Sequence, residues 1–188
     1  MIFTEGAKTE PQYMTHWYRL HRGRVIVTID EFHGTPLPLV RAAVDRKKSD
    51  KREARRGRGD AFDEYWCMFD VDEHPALPEA LELAAAHDIS VALSHPCVEL
   101  WFLLHFGDQW AALERDEAQR RWRQKSGCDK AVPEAVFQEL ADHYSEARTR
   151  AQALDKKHVG DGSPAHSNPS SDAWRLVDRI RPASGPGS

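Results

Sequence analysis

Three carboxylates mark where chemistry could occur in this 188-residue chain: Glu5 in Thr4-Glu5-Gly6, and Asp70 and Asp72 in Phe69-Asp70-Val71-Asp72. Each stands where an apolar run stops. Ile2-Phe3 precede Glu5, and Tyr65-Trp66-Cys67-Met68-Phe69 precede Asp70. A short, aromatic-rich apolar run ending in acids reads as a buried strand that empties into a cleft. In parallel α/β sheets, ligands bind at the carboxyl ends of the strands. In extended backbone Asp70 and Asp72 point the same way, and Val71 points into the protein. Like charges held that close repel, so the arrangement makes sense around a hard divalent cation, Mg²⁺ or Mn²⁺. Oxygen ligands would fix such an ion, and a spare carboxylate could activate water or take a proton during a reaction on phosphate.

Further residues could join them. Glu99 lies near the start of the apolar segment Val98–Phe106 and could ligate a second metal; the alternative is an interaction with that helix's N-terminus. His105, six residues on, is an acid/base candidate that also reads as a core histidine with one satisfied hydrogen bond. His74 follows the Asp pair and could protonate a leaving group, or mark the start of a helix. Lys8 and Glu10 flank an incipient helix N-terminus one turn from Glu5, a place that could receive a phosphate. Ser94 ends a strand at the same cleft and could cap the next helix or touch phosphate.

Charge is uneven along the chain. The net charge of −4 excludes no partner, because nine Lys/Arg against four Asp/Glu are concentrated between Arg41 and Asp60, ending in Arg55-Arg56-Gly57-Arg58. Such a run is commonly a solvated helix face; since it leads into the strand that delivers Asp70, it could also track a nucleic-acid backbone. Arg120, Arg121, Arg123 and Lys125, with Trp122 among them, form a second candidate surface.

These residues need elements to hold them. Thr9-Glu10-Pro11-Gln12 predicts a helix start, with Thr9 as cap and Gln12 closing a capping box. Val25–Ile29 predicts a strand buried on both faces. Helices follow from Thr35-Pro36 and over Pro75–His87, and strands over Glu64–Phe69 and Ile89–Leu93. This alternation predicts an α/β fold with a mostly parallel sheet of about four strands flanked by helices, over residues 1–107. A helical C-terminal extension is expected over 108–181, with helices near Trp110–Lys125, from Pro133 to about Lys157, and around Trp174–Ile180. The tail 182–188 reads as disordered. The three cysteines, Cys67, Cys97 and Cys128, form no CxxC pair, which suits a reduced compartment. No stretch spans a bilayer and no basic-then-apolar leader precedes Glu5, so a soluble cytoplasmic protein is expected. A first strand of only Met1-Ile2-Phe3 is short, as expected if the true start lies upstream or Met1 replaces another strand residue.

The chain resembles a known family. Thr4-Glu5-Gly6-Ala7-Lys8-Thr9-Glu10-Pro11-Gln12-Tyr13, then Trp66–His74, then Ser94-His95-Pro96-Cys97-Val98-Glu99-Leu100-Trp101-Phe102-Leu103-Leu104-His105-Phe106 look like the three signature blocks of the RloB family. Asn168-Pro169-Ser170-Ser171 is similar to that family's C-terminal end, and His95 stands where Asn is expected. The resemblance implies a Toprim-like, Rossmann-like core and a role in bacterial phage defence or abortive infection. It implies acid/base or metal-ligand roles for Glu5, Mg²⁺ binding by Asp70 and Asp72, and a partner ATPase encoded nearby.

The function expected is a Mg²⁺-dependent Toprim-like endonuclease acting on RNA, tRNA included, or on DNA. Glu5, Asp70, Asp72 and Glu99 are its candidate metal ligands and catalytic acids, with His74 and His105 as further catalytic candidates. Lys8, Arg55, Arg56, Arg58, Arg121 and Arg123 are its candidate nucleic-acid contacts. The alternatives are a phosphatase or phosphotransferase using the Asp pair, or a non-catalytic Toprim-shaped interaction module. Fold alone does not choose among them.

Overall fold

The computed structural model describes residues 1–71, 74–128 and 132–181. Three parallel strands form its centre: β1 (Ile2–Thr4), β2 (Trp66–Asp70) and β3 (Ser90–His95), with a short β4 (Ser170–Ser171) added antiparallel to β3. The sheet order is β1-β2-β3-β4. The mostly parallel α/β architecture agrees with the Toprim-like expectation.

Strand alternation divides the core into two. Ile2, Trp66, Met68 and Ala92 face one side and pack against α1 (Thr9–His21), α4 (Val98–Leu104), α5 (Arg115–Ser126), α6 (Glu134–Asp142), α7 (Tyr144–Gly160) and α8 (Ala173–Ile180). Phe3, Cys67, Phe69 and Leu93 face the other, against α2 (Pro36–Arg55) and α3 (Leu77–Ala86). Asp70 continues the series of Trp66 and Met68, while Val71 packs with the second group. A single parity rule thus turns the Asp70 side chain toward the α1 and α4 side.

Several expectations need correction. Val25–Ile29 is not a strand buried on both faces. Among the described residues, its bridges are a parallel one between Ile29 and Ile2 at the sheet and a local one between Val25 and Arg22, and Ile26 is 82% exposed. The reason is that β1 has only three residues and lies at the sheet edge, so little ladder is available to it. The first helix is capped by Lys8 without any side-chain cap bond, and Thr9 is already helical. The helix expected from Trp110 starts at Arg115. The helix expected from Pro133 to Lys157 is two, because a break at His143 lets Phe137 and Leu140 pack near α1 and lets Ala147, Ala151 and Leu154 pack deeper along α4. Ser170 and Ser171, which close the Asn168–Ser171 block, pair with His95 and Ser94. The expected disordered tail, 182–188, lies outside the described residues. Among the described residues, no helix is long and apolar enough to cross a membrane.

Candidate active site

The parallel register Thr4↔Met68 ends β1 and β2 at one edge, so the residues that follow meet there. The Glu5 backbone N–H donates to Met68 O at 3.0 Å, and Glu5 Oε2 accepts the Asp70 backbone N–H at 3.0 Å. Asp70 Oδ1 accepts the Val98 N–H at 2.9 Å, fastening the strand end to the first turn of α4. Asp70 Oδ2 accepts from Arg115 Nη2 at 2.9 Å, at the start of α5. His74 Nε2 stands 3.4 Å from Glu5 Oε1, an ion-pair distance without hydrogen-bond geometry.

A fourth residue is set into this edge. Glu10 is buried in the first turn of α1 and reaches back to accept the Gly6 N–H at 3.0 Å. A Cβ on residue 6 would stand 2.8 Å from Glu10 Cδ, so the glycine leaves the space that the carboxylate fills. The turn before α1, expected to receive a phosphate, therefore already holds an anion of its own.

Burial pushes the Asp70 carboxyl well above its ordinary range, and the nearby charge of Glu10 adds to it. Arg115 pulls the other way and loses to burial, while Glu5 and Glu99 raise it further. Glu10 is also raised, first by burial and then, against its hydrogen bond to Gly6, by Glu99 and Glu5. Four carboxylates thus share one poorly solvated edge, with Arg115 as a compensating cation.

Hard oxygen donors at such an edge suit a divalent cation in chemistry; Asp70 and Glu10 are raised first by burial, and a cation would offset that and the smaller repulsion among the carboxylates. Among the described residues, however, no group of three or more His, Cys, Asp or Glu side chains is arranged to hold a metal ion. Asp72, the expected partner of Asp70, lies outside the described residues. Glu99 contributes charge to the edge from the first turn of α4.

The other expected residues divide clearly. Lys8 is exposed at the start of α1, on the loop from Glu5. Arg121 and Arg123 lie on α5, about 9 Å and 12 Å along the helix from Arg115 at 1.5 Å per residue. Arg121 is paired with Glu117 Oε1 at 2.6 Å and Gln109 Oε1 at 3.0 Å, whereas Arg123 is exposed. His105 is a correction. It caps the far end of α4, 2% exposed, with Nδ1 bonded to Trp101 O at 2.8 Å. Burial holds it neutral, with its pKa lowered to about 3. It is a core residue at the end of α4 opposite to the one that Asp70 holds.

Arg55, Arg56 and Arg58 are also apart from them. α2 starts at the acid edge, where His33 meets Thr4 and Arg41 meets Glu79. It ends past the opposite edge, where Lys47 bonds His87 O and Asp88 O, and Tyr65 bonds Asp50. Twenty helical residues put its basic end about 30 Å from its start. Arg56 and Arg58 also pair with Glu53, at 3.1 Å and 3.8 Å.

Sequence reasoning missed Glu10 as a buried acid and Arg115 altogether. Glu10 carried a signal in its one-turn spacing from Gly6. Arg115 carried none, since only the packing of α5 on α4 brings it to Asp70.

Residues 1–180 match the family model described as RloB-like protein. Comparison with curated proteins and with solved structures yields no match.

Proposed function

The chain belongs to the RloB-like family, and from that premise we propose that it is a metal-dependent nuclease hydrolysing nucleic-acid phosphodiesters. The observation that carries this reading is the meeting of Glu5 and Asp70 at one strand edge, beside Glu10, Glu99, Arg115 and His74. Glu5 and Asp70, with Asp72 and Glu99, would hold Mg²⁺ or Mn²⁺. Such an ion neutralises charge on the phosphate and makes a bound water more acidic.

The chain's own groups do the rest. Arg115 turns from Asp70 to the non-bridging oxygens of the scissile phosphate, a bidentate partner suited to its planar donors. Glu5 Oε1 takes the proton of the water that attacks phosphorus in line. His74 Nε2 gives a proton to the leaving oxygen as its bond to phosphorus breaks. Lys8, and Arg121 and Arg123 farther along α5, guide the flanking backbone. The family resemblance supports a cytoplasmic role in bacterial phage defence, with RNA or DNA as substrate and a separately encoded ATPase as partner.

The test is incubation with tRNA, single-stranded DNA and a chromogenic phosphomonoester, each with and without Mg²⁺. Mg²⁺-dependent cutting of either nucleic acid is the result expected. Hydrolysis of the phosphomonoester alone would move the reading to a phosphatase, and no reaction on any of the three would overturn it.

A further inference from the structure

The outer edge of the sheet beyond β1 has an unusual composition. Residues 22–31 read Arg-Gly-Arg-Val-Ile-Val-Thr-Ile-Asp-Glu, a β-branched run with cations at one end and anions at the other. Exposure alternates along it: Val25, Val27 and Ile29 are half-buried against the core, while Ile26 and Thr28 are exposed. The run is joined to β1 by two backbone bonds only, Ile2 N–H to Thr28 O at 2.9 Å and Asp30 N–H to Ile2 O at 2.8 Å. Those bonds direct the backbone of residues 28 and 30 inward. Backbone groups alternate in an extended chain, so Val27 and Ile29 direct theirs outward. Among the described residues, nothing pairs with them.

An extended edge with free N–H and C=O groups and an exposed isoleucine at its middle is a template for another strand. Proteins that keep such an edge solvated place charges inward, or a proline or bulge, within it. Residues 25–29 carry neither a charge nor a proline.

We infer that this edge is a self-association surface, on which Val25–Ile29 pairs antiparallel with the same segment of a second copy about a two-fold axis at Val27. The register follows from two independent features that agree. The outward-directed residues Val27 and Ile29 are odd-numbered, and a two-fold at Val27 makes a hydrogen-bonded pair of Val27 with Val27 and sets Ile29 opposite Val25, whose local bridge to Arg22 opens to complete that pair. Continued to Arg24, whose N–H closes a turn on His21 O at 3.2 Å, the same axis places Arg24 opposite Asp30 twice, as non-hydrogen-bonded pairs, whose side chains approach most closely. It also sets Ile26 against Thr28, covering the most exposed large apolar side chain among the described residues. An interface of this kind is isologous and closes on itself, so it stops at a dimer.

Asp30 is not idle in the single chain. Its Oδ1 accepts the Phe32 N–H at 2.9 Å, and Oδ2 lies 3.6 Å from Arg46. Oδ2 is thus already in an ion pair, and Arg24 of the second copy competes with Arg46 for it. No ion pair of Arg24 is seen with any described residue, which leaves it available. The segment lies outside the acid edge, so the dimer and the nuclease reading stand or fall separately.

The test is sedimentation velocity of the whole chain over a range of concentrations, with Arg24→Asp and Asp30→Arg run separately and as an equimolar mixture. Wild type should show a concentration-dependent monomer–dimer equilibrium. Each single variant should weaken it by about tenfold or more, because both symmetric pairs become like-charged. The mixture should recover a dimer, since one copy then carries an acid at both positions 24 and 30 and the other a cation at both. Circular dichroism of each variant guards against simple misfolding. A wild type that stays monomeric throughout, single variants that dimerise as wild type, or well-folded variants whose mixture stays monomeric would each overturn the proposal.

Discussion

Glu5 and Asp70, 65 residues apart in the chain, are joined by a hydrogen bond of 3.0 Å from the Asp70 backbone N–H to Glu5 Oε2. The bond continues the β1–β2 ladder one step past its last backbone pair, with a carboxylate in place of a carbonyl. It leaves the Asp70 side chain free to turn to the other sheet neighbour and seize the start of α4. One carboxylate thus closes the strand pair, and the other ties strand to helix.

Asp70 combines a structural bond with a chemical one, and two substitutions separate them. Asp70→Asn keeps an oxygen for the Val98 N–H but loses the charge that faces Arg115. It should fold, and it should lose divalent-cation binding and any nuclease activity. Asp70→Ala leaves the buried Val98 N–H without a partner, which costs about 1–3 kcal/mol. It should therefore unfold more readily in urea than Asp70→Asn by about that amount. Equal stabilities would mean that water replaces the carboxylate, and unchanged cation affinity in Asp70→Asn, read by calorimetry, would remove Asp70 from the metal site.

Glu10 makes stability depend on pH in the metal-free protein. Its carboxyl is raised from an ordinary value of 4.5 in the folded state, so the native state holds the proton longer than the unfolded chain does. The stabilisation is complete below 4.5 and is lost as pH rises through the folded value. Glu10→Gln has no such proton to lose and can still accept from Gly6. Its advantage over wild type should therefore widen as pH rises above 4.5, and saturating Mg²⁺ should narrow it. A difference in melting temperature that is flat with pH would show that burial and the neighbouring acids do not raise Glu10.

Gly6 and Glu10 should be coupled. Gly6→Ala brings a Cβ into the space held by the Glu10 carboxylate, and the flexible end of that side chain yields before the backbone does. The cost is then the bond to the Gly6 N–H, about 1 kcal/mol. In a Glu10→Ala background the same glycine substitution should cost almost nothing. A double-mutant cycle by chemical denaturation reads the coupling directly, and additive effects would contradict the contact.

The two basic surfaces should behave differently. Replacing Arg121 and Arg123 with Ala should weaken binding of even short single strands, and reduce the slope of log affinity against log salt by about 0.7 per lost phosphate contact. Replacing Arg55, Arg56 and Arg58 with Ala should leave the cutting of a short oligonucleotide unchanged, because α2 carries them to the opposite sheet edge. Fluorescence anisotropy over a salt series, with a cleavage assay on the same oligonucleotide, separates the cases. A large loss on the short substrate from the α2 triple variant would contradict the placement.

What the sequence determined by itself is local and periodic. The aromatic run Tyr65–Phe69 could only be a buried strand, and acids at its end could only emerge at an edge. The blocks around Glu5, Asp70 and Glu99 identified the family, and strand–helix alternation predicted a parallel sheet. Tertiary structure decided what depends on distant neighbours. Val25–Ile29 has every mark of a central strand, yet a β1 of three residues offers it one rung, and it stays at the edge. His105 has the chemistry of a catalyst but lies in the core beside Trp101, where desolvation removes its charge. The basic run precedes Asp70 in sequence, but a helix of twenty residues carries its end to the other side of the sheet. Arg115, silent in the sequence, becomes the cation of the acid edge because α5 packs on α4. Side-chain type and spacing specify which face is buried; only the packing of whole elements specifies which charges meet.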